Sequence, residues 1–371
     1  MKKITAAAAA LISAVVFSFT CYGEPTEITA ESAIVINADT GEIIFEKNAY
    51  EKRAMASTTK IMTALLTLEE GQLDKRFTAD SMAIRVEGTS MGLQEGDIVT
   101  RRALCYGMLL PSGNDAANAA AVNISGSLSA FAEKMNRKAA EIGMNNTNFV
   151  TPSGLDADGH YSTAYDMALL TRYALNNEEF KKICASSSAT LEYGNPPYRR
   201  TLYNSNKLLA QFEGCIGVKT GFTDNARRCL VSAAERNGVT LIAVTLNAPD
   251  DWSDHAEMLN YGFTKVKARE VMPDSFKIPV LSGTRGSITL VPEKNAIIGV
   301  TEESESNITI EYHVPPFVYA NINNGDKLGM AKIRYNGEEI KTIALIASES
   351  SERVVNEESA LNIFLESLGL N

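Results

Sequence analysis

Apolar and polar positions alternate in short runs near the start of this chain and recur at helical spacing further on. Ser32-Ala33-Ile34-Val35-Ile36 and Glu42-Ile43-Ile44-Phe45 predict two strands around an Asp39-Thr40-Gly41 hairpin turn. From residue 61 the period lengthens. Ile61 to Leu68, Arg102 to Leu110, the alanine-rich Asp115 to Val122, Ala130 to Ile142 and Ala164 to Leu175 predict helices. Strand character returns at Gly217-Val218, Cys229 to Ala234 and Val239 to Leu246. The expectation is an α+β unit whose antiparallel sheet is built from both ends and packs against a mostly helical region.

Near Ala268 the composition shifts. Ile278 to Leu281, Ser287 to Val291, Asn307 to Tyr312, Ala331 to Tyr335 and Lys341 to Ile346 are short alternating runs, with Asn336-Gly337 as a hairpin turn. The chain thus divides into residues 1–23, a first domain over 24–268, an all-β domain over 269–350 and a tail over 351–371.

Both ends carry their own signals. Lys2 and Lys3 precede an apolar run from Ile4 to Phe19, and small residues follow, so residues 1–23 read as an export signal cleaved before Glu24. An uncleaved membrane helix fits less well, because the run is shorter than the roughly 20 residues a span needs. A lipid anchor on Cys21 fits poorly beside Phe19 and Thr20. In the tail, Ala360, Leu361, Phe364, Leu365 and Leu368 form one apolar helical face. Glu357, Glu358 and Glu366 flank it, and no lysine or arginine follows Val355, so the helix either docks on the β domain or contacts a membrane weakly.

Removing the leader takes the net charge from -10 to -12 and leaves 348 of the 371 residues, enough for two cores. No basic field is left for phosphates, which argues against a nucleic-acid partner. Four cysteines remain, with no Cys-x-x-Cys pair. If Gly221 and Arg228 flank a hairpin turn, Cys215 falls opposite residue 234 and cannot meet Cys229.

Candidate chemistry starts at Ser57-Thr58-Thr59-Lys60, which sets a hydroxyl and an amine one helical turn apart. A serine hydroxyl is a weak nucleophile at its own pKa, so a base at that spacing points to covalent catalysis. Alone, the pattern also fits an N-cap serine and a solvated lysine. Ser112-Gly113-Asn114 lies 55 residues beyond Ser57, and Lys219-Thr220-Gly221 lies 107 beyond Ser112. Singly, Asn114 reads as the cap of the helix at Asp115, and the lysine triplet as a strand entering a turn. The ordered set makes a site.

Lys60 accepts the Ser57 proton only as a neutral amine. Moving lysine from about 10.4 to about 7 takes roughly 4 to 5 kcal/mol. A second ammonium about 4 Å away costs on the order of 4 kcal/mol at an effective dielectric of about 20. Lys219 is that neighbour, with burial and the positive helix end acting in the same direction. Ser112 would relay a proton to the leaving nitrogen, and Asn114 would hold Lys60 and a substrate amide. An edge strand at Lys219 would bind an extended peptide through its backbone while Thr220 meets a terminal carboxylate.

These segments, with Arg53 to Leu65, Leu109 to Ala117, Gly217 to Thr223 and the loop from Phe149 to Asp166 that holds Gly154, His160 and Ser162, resemble the low-molecular-mass penicillin-binding proteins, the serine D-alanyl-D-alanine carboxypeptidases. The resemblance implies a penicillin-recognising, transpeptidase/β-lactamase-like α+β domain followed by a small β-sandwich. It implies that Ser57 is acylated, that Lys60 is the base, that Ser112 and Asn114 complete the proton and substrate network, and that Lys219 and Thr220 orient the substrate, with Gly221, Phe222 and Thr223 beside it. The oxyanion would be met by the backbone N–H groups of Ser57 and Phe222. Peptidoglycan stem peptides ending in D-Ala-D-Ala are the implied substrates, β-lactams the implied covalent inhibitors, and neither cofactor nor metal is required. The chain departs from the pattern at Ala226-Arg227-Arg228, where many relatives have Ala-Gly, and Asp250 to Asp254 carries no arginine. Thr220, helped by Arg227 or Arg228, is then the expected reader of the carboxylate.

Other chemistries fit less well. His160, His255 and His313 are far apart and form no His-Glu-x-x-His pair for zinc. Glu141 in Glu141-Ile142-Gly143-Met144-Asn145 superficially resembles the deacylating glutamate of class A-like β-lactamases. A silent cell-wall-binding scaffold is the non-enzymatic alternative. Lys327-Leu328-Gly329 imitates the lysine triplet without its hydroxyl and reads as a turn.

Overall fold

The computed structural model describes residues 23–25 and 27–354, together with Leu365 and Gly369. The predicted leader up to residue 22 and the rest of the predicted tail helix beyond 354 lie outside the described residues. The first part contains β1 (Ser32–Asn37), β2 (Ile43–Lys47), a 3₁₀ turn (Ala56–Thr59), α1 (Lys60–Glu69), β3 (Arg76–Thr78), β4 (Ile98–Thr100), α2 (Arg101–Leu109) and α3 (Asn114–Ser125). It continues through α4 (Leu128–Ile142), α5 (Ala164–Ala174), α6 (Glu178–Cys184), β5 (Ser188–Gly194), β6 (Pro197–Tyr203) and α7 (Leu208–Gln211). It closes with β7 (Cys215–Thr223), β8 (Arg227–Arg236), β9 (Val239–Leu246) and α8 (Asp251–Lys265).

Its main sheet runs β2-β1-β9-β8-β7 and is antiparallel throughout, so strands from both ends of the segment meet in one layer. Alternation along β1 divides the apolar residues between two cores. Ile34 and Ile36 face the helices, joining Ile61, Leu65 and Met108, while Ala33 and Val35 face α8 and meet Met258 and Leu259. Both faces are covered, which is why β1 is apolar along most of its length. This arrangement leaves β7 as an edge strand.

The sequence did not predict α6, α8 or the β5–β6 hairpin. The α8 segment carries Asp251, Ser253, Asp254, Glu257 and Asn260 among its apolar residues, and its helical state rests on the face laid against β8 and β9. Cys215 does fall opposite Ala234, by a different route from the predicted one. Near the turn Gly221 faces Cys229 rather than Arg228, and a bulge between Cys215 and Gly217 takes up the extra residue.

The all-β part comprises β10 (Lys267–Val271), β11 (Phe276–Leu281), β12 (Ser287–Pro292), β13 (Ala296–Val300), β14 (Ile308–His313), β15 (Val318–Tyr319), β16 (Lys327–Tyr335) and β17 (Glu338–Ala347). Six strands form a sheet in the order β14-β16-β17-β12-β11-β15, and β10 pairs with β13. Ile298 and Val300 of the smaller sheet pack on Ile333 and Ile343 of the larger. The Asn336-Gly337 turn joins β16 to β17 as expected. Lys327-Leu328-Gly329 is not a turn: it begins β16, because Leu328 packs against a second cluster that holds Leu290, Ala331 and Leu345, and Lys327 pairs with Ile346. The β1–β2 turn ties the two parts together, with Asn37 Nδ2 donating to Gly299 O at 2.7 Å and Gly299 N to Asp39 Oδ2 at 3.0 Å.

Candidate active site

Ser57 sits in the 3₁₀ turn immediately before α1 rather than in the α-helix itself. The two threonines hold that turn: Thr58 Oγ1 donates to Met55 O at 2.5 Å and Thr59 Oγ1 to Ala56 O at 2.8 Å. A 3₁₀ period of three residues eclipses positions i and i+3, which stacks Ser57 over Lys60. Thr58 and Thr59 are buried with their hydroxyls consumed, whereas Ser57 reaches a cleft.

Lys60 is fully buried, and its Nζ lies 2.8 Å from Ser57 Oγ, 2.7 Å from Asn114 Oδ1 and 2.6 Å from Ser153 O. A neutral amine has two donors and one lone pair. Asn114 and Ser153 offer only acceptors, so a neutral Lys60 would give both N–H groups to them and turn its lone pair to the serine hydroxyl. Burial first, and then the Lys219 ammonium, hold the Lys60 pKa well below that of ordinary lysine, while Asp115 opposes them. The order differs from the expected one: desolvation outweighs the second lysine. Lys219, also buried, is pushed down to about 7 by burial and donates to Thr220 O at 2.7 Å.

Asn114 is the first residue of α3, and its side chain does not cap the helix. Its Nδ2 donates to Glu87 O at 2.7 Å, which aims Oδ1 at Lys60. Ser112 adopts a left-handed backbone at φ 67 and lines the cleft; among the described residues its hydroxyl makes no hydrogen bond. Next to Asn114, the buried Asp115 carboxylate accepts from Met91 N, Gly92 N, Leu93 N and Ser90 Oγ, fixing the loop whose Gly88 and Thr89 form one wall. The sequence reading missed this anchor.

The other wall is β7. A Cβ on Gly221 would stand 3.2 Å from Ser57 N, tighter than ordinary contact, so the strand lies close against the 3₁₀ turn that carries Ser57. Arg228 O accepts from Ala248 N, on the side of β8 away from β7. Its partner Phe222 therefore occupies a non-hydrogen-bonded pair of the ladder, and the Phe222 N–H points to the open edge where Ser57 N lies. Thr220 Oγ1 is 2.8 Å from Ser205 Oγ, and Thr223 Oγ1 donates to Asp156 Oδ1 at 2.9 Å.

Behind Ser57 the loop over 149–166 closes the site. Gly154 has φ +82, and a Cβ there would lie 2.0 Å from Ala56 O, so the loop and the Ser57 turn touch backbone to backbone. His160 joins them further. Its Nδ1 accepts from Val150 N at 2.9 Å, so Nε2 carries the proton toward Thr59 Oγ1, and burial pushes its pKa down to about 4. His255 is equally structural, held between Ser232 Oγ and Thr245 Oγ1, while His313 pairs with Glu311.

The cleft measures about 510 Å³ and brings together Ser57, Ser112, Asn114, Thr220, Gly221, Phe222 and Thr223. Lys60 and Lys219 lie beneath it. Ser205, Lys207, Arg228, Asp251 and Trp252, unassigned or barely weighed from sequence, also line it. Arg228 gives Nε and Nη2 to Asp251 Oδ1 at 3.0 and 2.7 Å, whereas Arg227 stacks over Phe222 outside the cleft. Glu141 pairs with Lys138, which also meets Glu69 at the far end of α1, roughly 13 Å along the helix from Lys60. Asp251, already paired, is the carboxylate in the cleft lining, so the described residues place no glutamate beside Ser57 for a β-lactamase.

The sequence agrees with this geometry. A family model described as D-alanyl-D-alanine carboxypeptidase matches residues 20–250, and one described as penicillin-binding protein 5, C-terminal domain, matches 267–353. D-alanyl-D-alanine carboxypeptidase DacF of Bacillus subtilis is 33% identical over 87% of this chain and 86% of its own. DacC of Escherichia coli is 29% identical over 89% and 86%. Among solved structures, the D-alanyl-D-alanine carboxypeptidase DacD of Francisella tularensis superposes with a TM-score of 0.62 at 28% identity, covering 89% of this chain and 95% of its own. The Streptomyces K15 DD-transpeptidase gives 0.62 at 34% identity over 65% and 99%. With three ordered motifs converging on one cleft and sequence likeness along most of its length, this chain belongs to the D-alanyl-D-alanine carboxypeptidase family of low-molecular-mass penicillin-binding proteins.

Proposed function

We propose that the protein removes the terminal D-alanine from peptidoglycan stem peptides ending in D-Ala-D-Ala through an acyl-enzyme on Ser57, and that β-lactams acylate the same hydroxyl. The observation that carries the reading is the buried Lys60 amine, whose Nζ lies 2.8 Å from Ser57 Oγ, 2.7 Å from Asn114 Oδ1 and 2.6 Å from Ser153 O. Ser57 Oγ attacks the penultimate carbonyl as Lys60 takes its proton. The oxyanion is met by the N–H groups of Ser57 and Phe222. Ser112 passes the proton to the leaving nitrogen, the peptide C–N bond breaks and D-alanine departs. Lys60 then deprotonates water for attack on the ester, which restores Ser57. Asn114 holds the base in place, Lys219 depresses its pKa, and Thr220 to Thr223 align the peptide along the open edge of β7.

Incubating the protein with a peptide ending in D-Ala-D-Ala is expected to release free D-alanine, and release by Ser57→Ala would overturn the nucleophile assignment. An added acceptor amine reads how the acyl group divides between water and amine. Export through residues 1–23, a catalytic domain over 24–268 and a β domain over 269–350 complete the proposal, with membrane attachment through the tail weak at most. Fractionating cells that express the full chain or a chain ending at Arg353 tests that attachment.

A further inference from the structure

The cleft has two unlike ends, and the difference assigns a residue to the free carboxylate of the peptide. One end, beyond Phe222, holds Thr223, Arg228, Asp251 and Trp252. Its cation is spent: Arg228 gives two donors to Asp251, whose side chain is only 4% exposed. Turning Arg228 to a substrate carboxylate would leave a buried, unpaired aspartate behind. Lys60 and Lys219 are buried beneath the cleft, and Arg227 lies outside it.

The other end holds Thr220, Ser205 and Lys207. Lys207 is exposed and, among the described residues, pairs with no carboxylate. The turn carrying it is fixed. Ser205 N donates to Leu110 O at 3.1 Å, Asn204 Nδ2 donates to Cys184 O and Ser186 O, and Asn206 Oδ1 accepts from Leu208 N. The Ser205 and Thr220 hydroxyls stand 2.8 Å apart; one donates to the other, which leaves the second hydroxyl free to donate outward.

We infer that Lys207, with the Ser205 and Thr220 hydroxyls, binds the terminal carboxylate and makes the enzyme select peptides with a free C-terminus. This rests on the proposed reaction and adds the group that reads the end of the chain. It keeps the expected Thr220 and puts Lys207 in place of Arg227 or Arg228 as its helper. With the oxyanion donors at Ser57 and Phe222, it fixes peptide direction: the leaving residue lies toward Lys207 and the body toward Trp252.

The test compares peptides ending in D-Ala-D-Ala as the free acid and as the C-terminal amide, and compares a penicillin with its methyl ester. Lys207→Ala is expected to lower the acid-over-amide ratio of kcat/KM by about tenfold to a hundredfold, mostly through KM, the size of a lost charge-assisted hydrogen bond. Lys207→Arg should restore much of it. The acid-over-ester ratio for penicillin acylation of Ser57 should fall in parallel, and this readout survives even if no peptide is hydrolysed. An unchanged ratio in Lys207→Ala, or a ratio that collapses in Arg228→Gln and not in Lys207→Ala, would overturn the assignment. Absence of D-alanine release by the wild type would instead overturn the proposed reaction.

Discussion

Lys219-Thr220-Gly221 and Lys327-Leu328-Gly329 are the same spacing of lysine and glycine in two strands, and they do unrelated things. Lys219 lies on an edge strand with its ammonium buried under the cleft, and burial takes its pKa to about 7. Lys327 begins a strand paired on both sides, and its side chain is 64% exposed and bound to Glu293. One has an open row of backbone donors beside Ser57 and a cation that water cannot screen; the other has a closed ladder and a solvated ion pair worth about 0 to 1 kcal/mol. Burial and an unpaired edge make the chemistry, and the triplet only makes it available.

The largest effect expected is at the centre of the first region. Ser57→Ala should lower D-alanine release by on the order of 10⁴-fold or more, and Lys60→Ala should slow acylation by on the order of 10³-fold, read with a fluorescent penicillin. A folded Lys60→Ala that acylates at the wild-type rate would break the assignment of the base.

Next comes the contrast itself. Lys219→Met should slow acylation by on the order of 10²-fold. It should also move the acid limb of the pH profile upward, since it removes the second of the two causes that depress Lys60. The limb should stop short of ordinary lysine, because burial, the larger cause, remains. A limb that stays in place would show that Lys219 acts only on substrate.

Gly154→Ala should cost about 1–3 kcal/mol of stability by forcing the loop off the Ala56 carbonyl, and should slow acylation about tenfold by displacing Ser153 O from Lys60. A denaturant titration beside the acylation rate separates the two effects.

The pH dependence of stability gives a finer reading. Lys219 titrates near 7 when folded and at about 10.4 when unfolded, so between these values the unfolded chain holds more protons and stability rises with pH. Below about 7 the full penalty of the buried ammonium is present. Melting temperatures from pH 7 to 10 should therefore rise more steeply for the wild type than for Lys219→Met. Lys327→Met, the smallest effect, should change the slope hardly at all and stability by about 0.5 kcal/mol or less. Equal slopes for both variants would erase the distinction between the two regions.

Much of this was legible along the chain. Strands β1, β2, β8 and β9 and helices α1 to α5 follow from period, because each lays a clear apolar stripe on a core. The three motifs were legible as well, since short polar residues at fixed offsets have few structural uses in combination. The α8 helix was not, because its polar residues hide a face defined by contact with β8 and β9. Asp115, Ser153 and Ser205 were also invisible. Asp115 acts by receiving four donors from residues 90–93, Ser153 through a backbone carbonyl, and Ser205 through a threonine 15 residues away. None of these has a local signature.

The sequence by itself determined which groups are present, in what order, and that a hydroxyl and an amine lie one turn apart. It also determined the left-handed turns and close contacts that glycine permits, as at Gly154 and Gly221. Only the tertiary structure decided that Lys60 is buried with its pKa held well below that of ordinary lysine. Its pKa depends on how completely the loop over 149–166 and α3 exclude water, and desolvation is a property of everything packed around an atom. The same holds for the Phe222 N–H, left free because β7 ends the sheet, and for Lys207, free of the carboxylate that Arg228 meets in Asp251. Those distinctions are set by neighbours distant in sequence, and a linear pattern carries no distance between them.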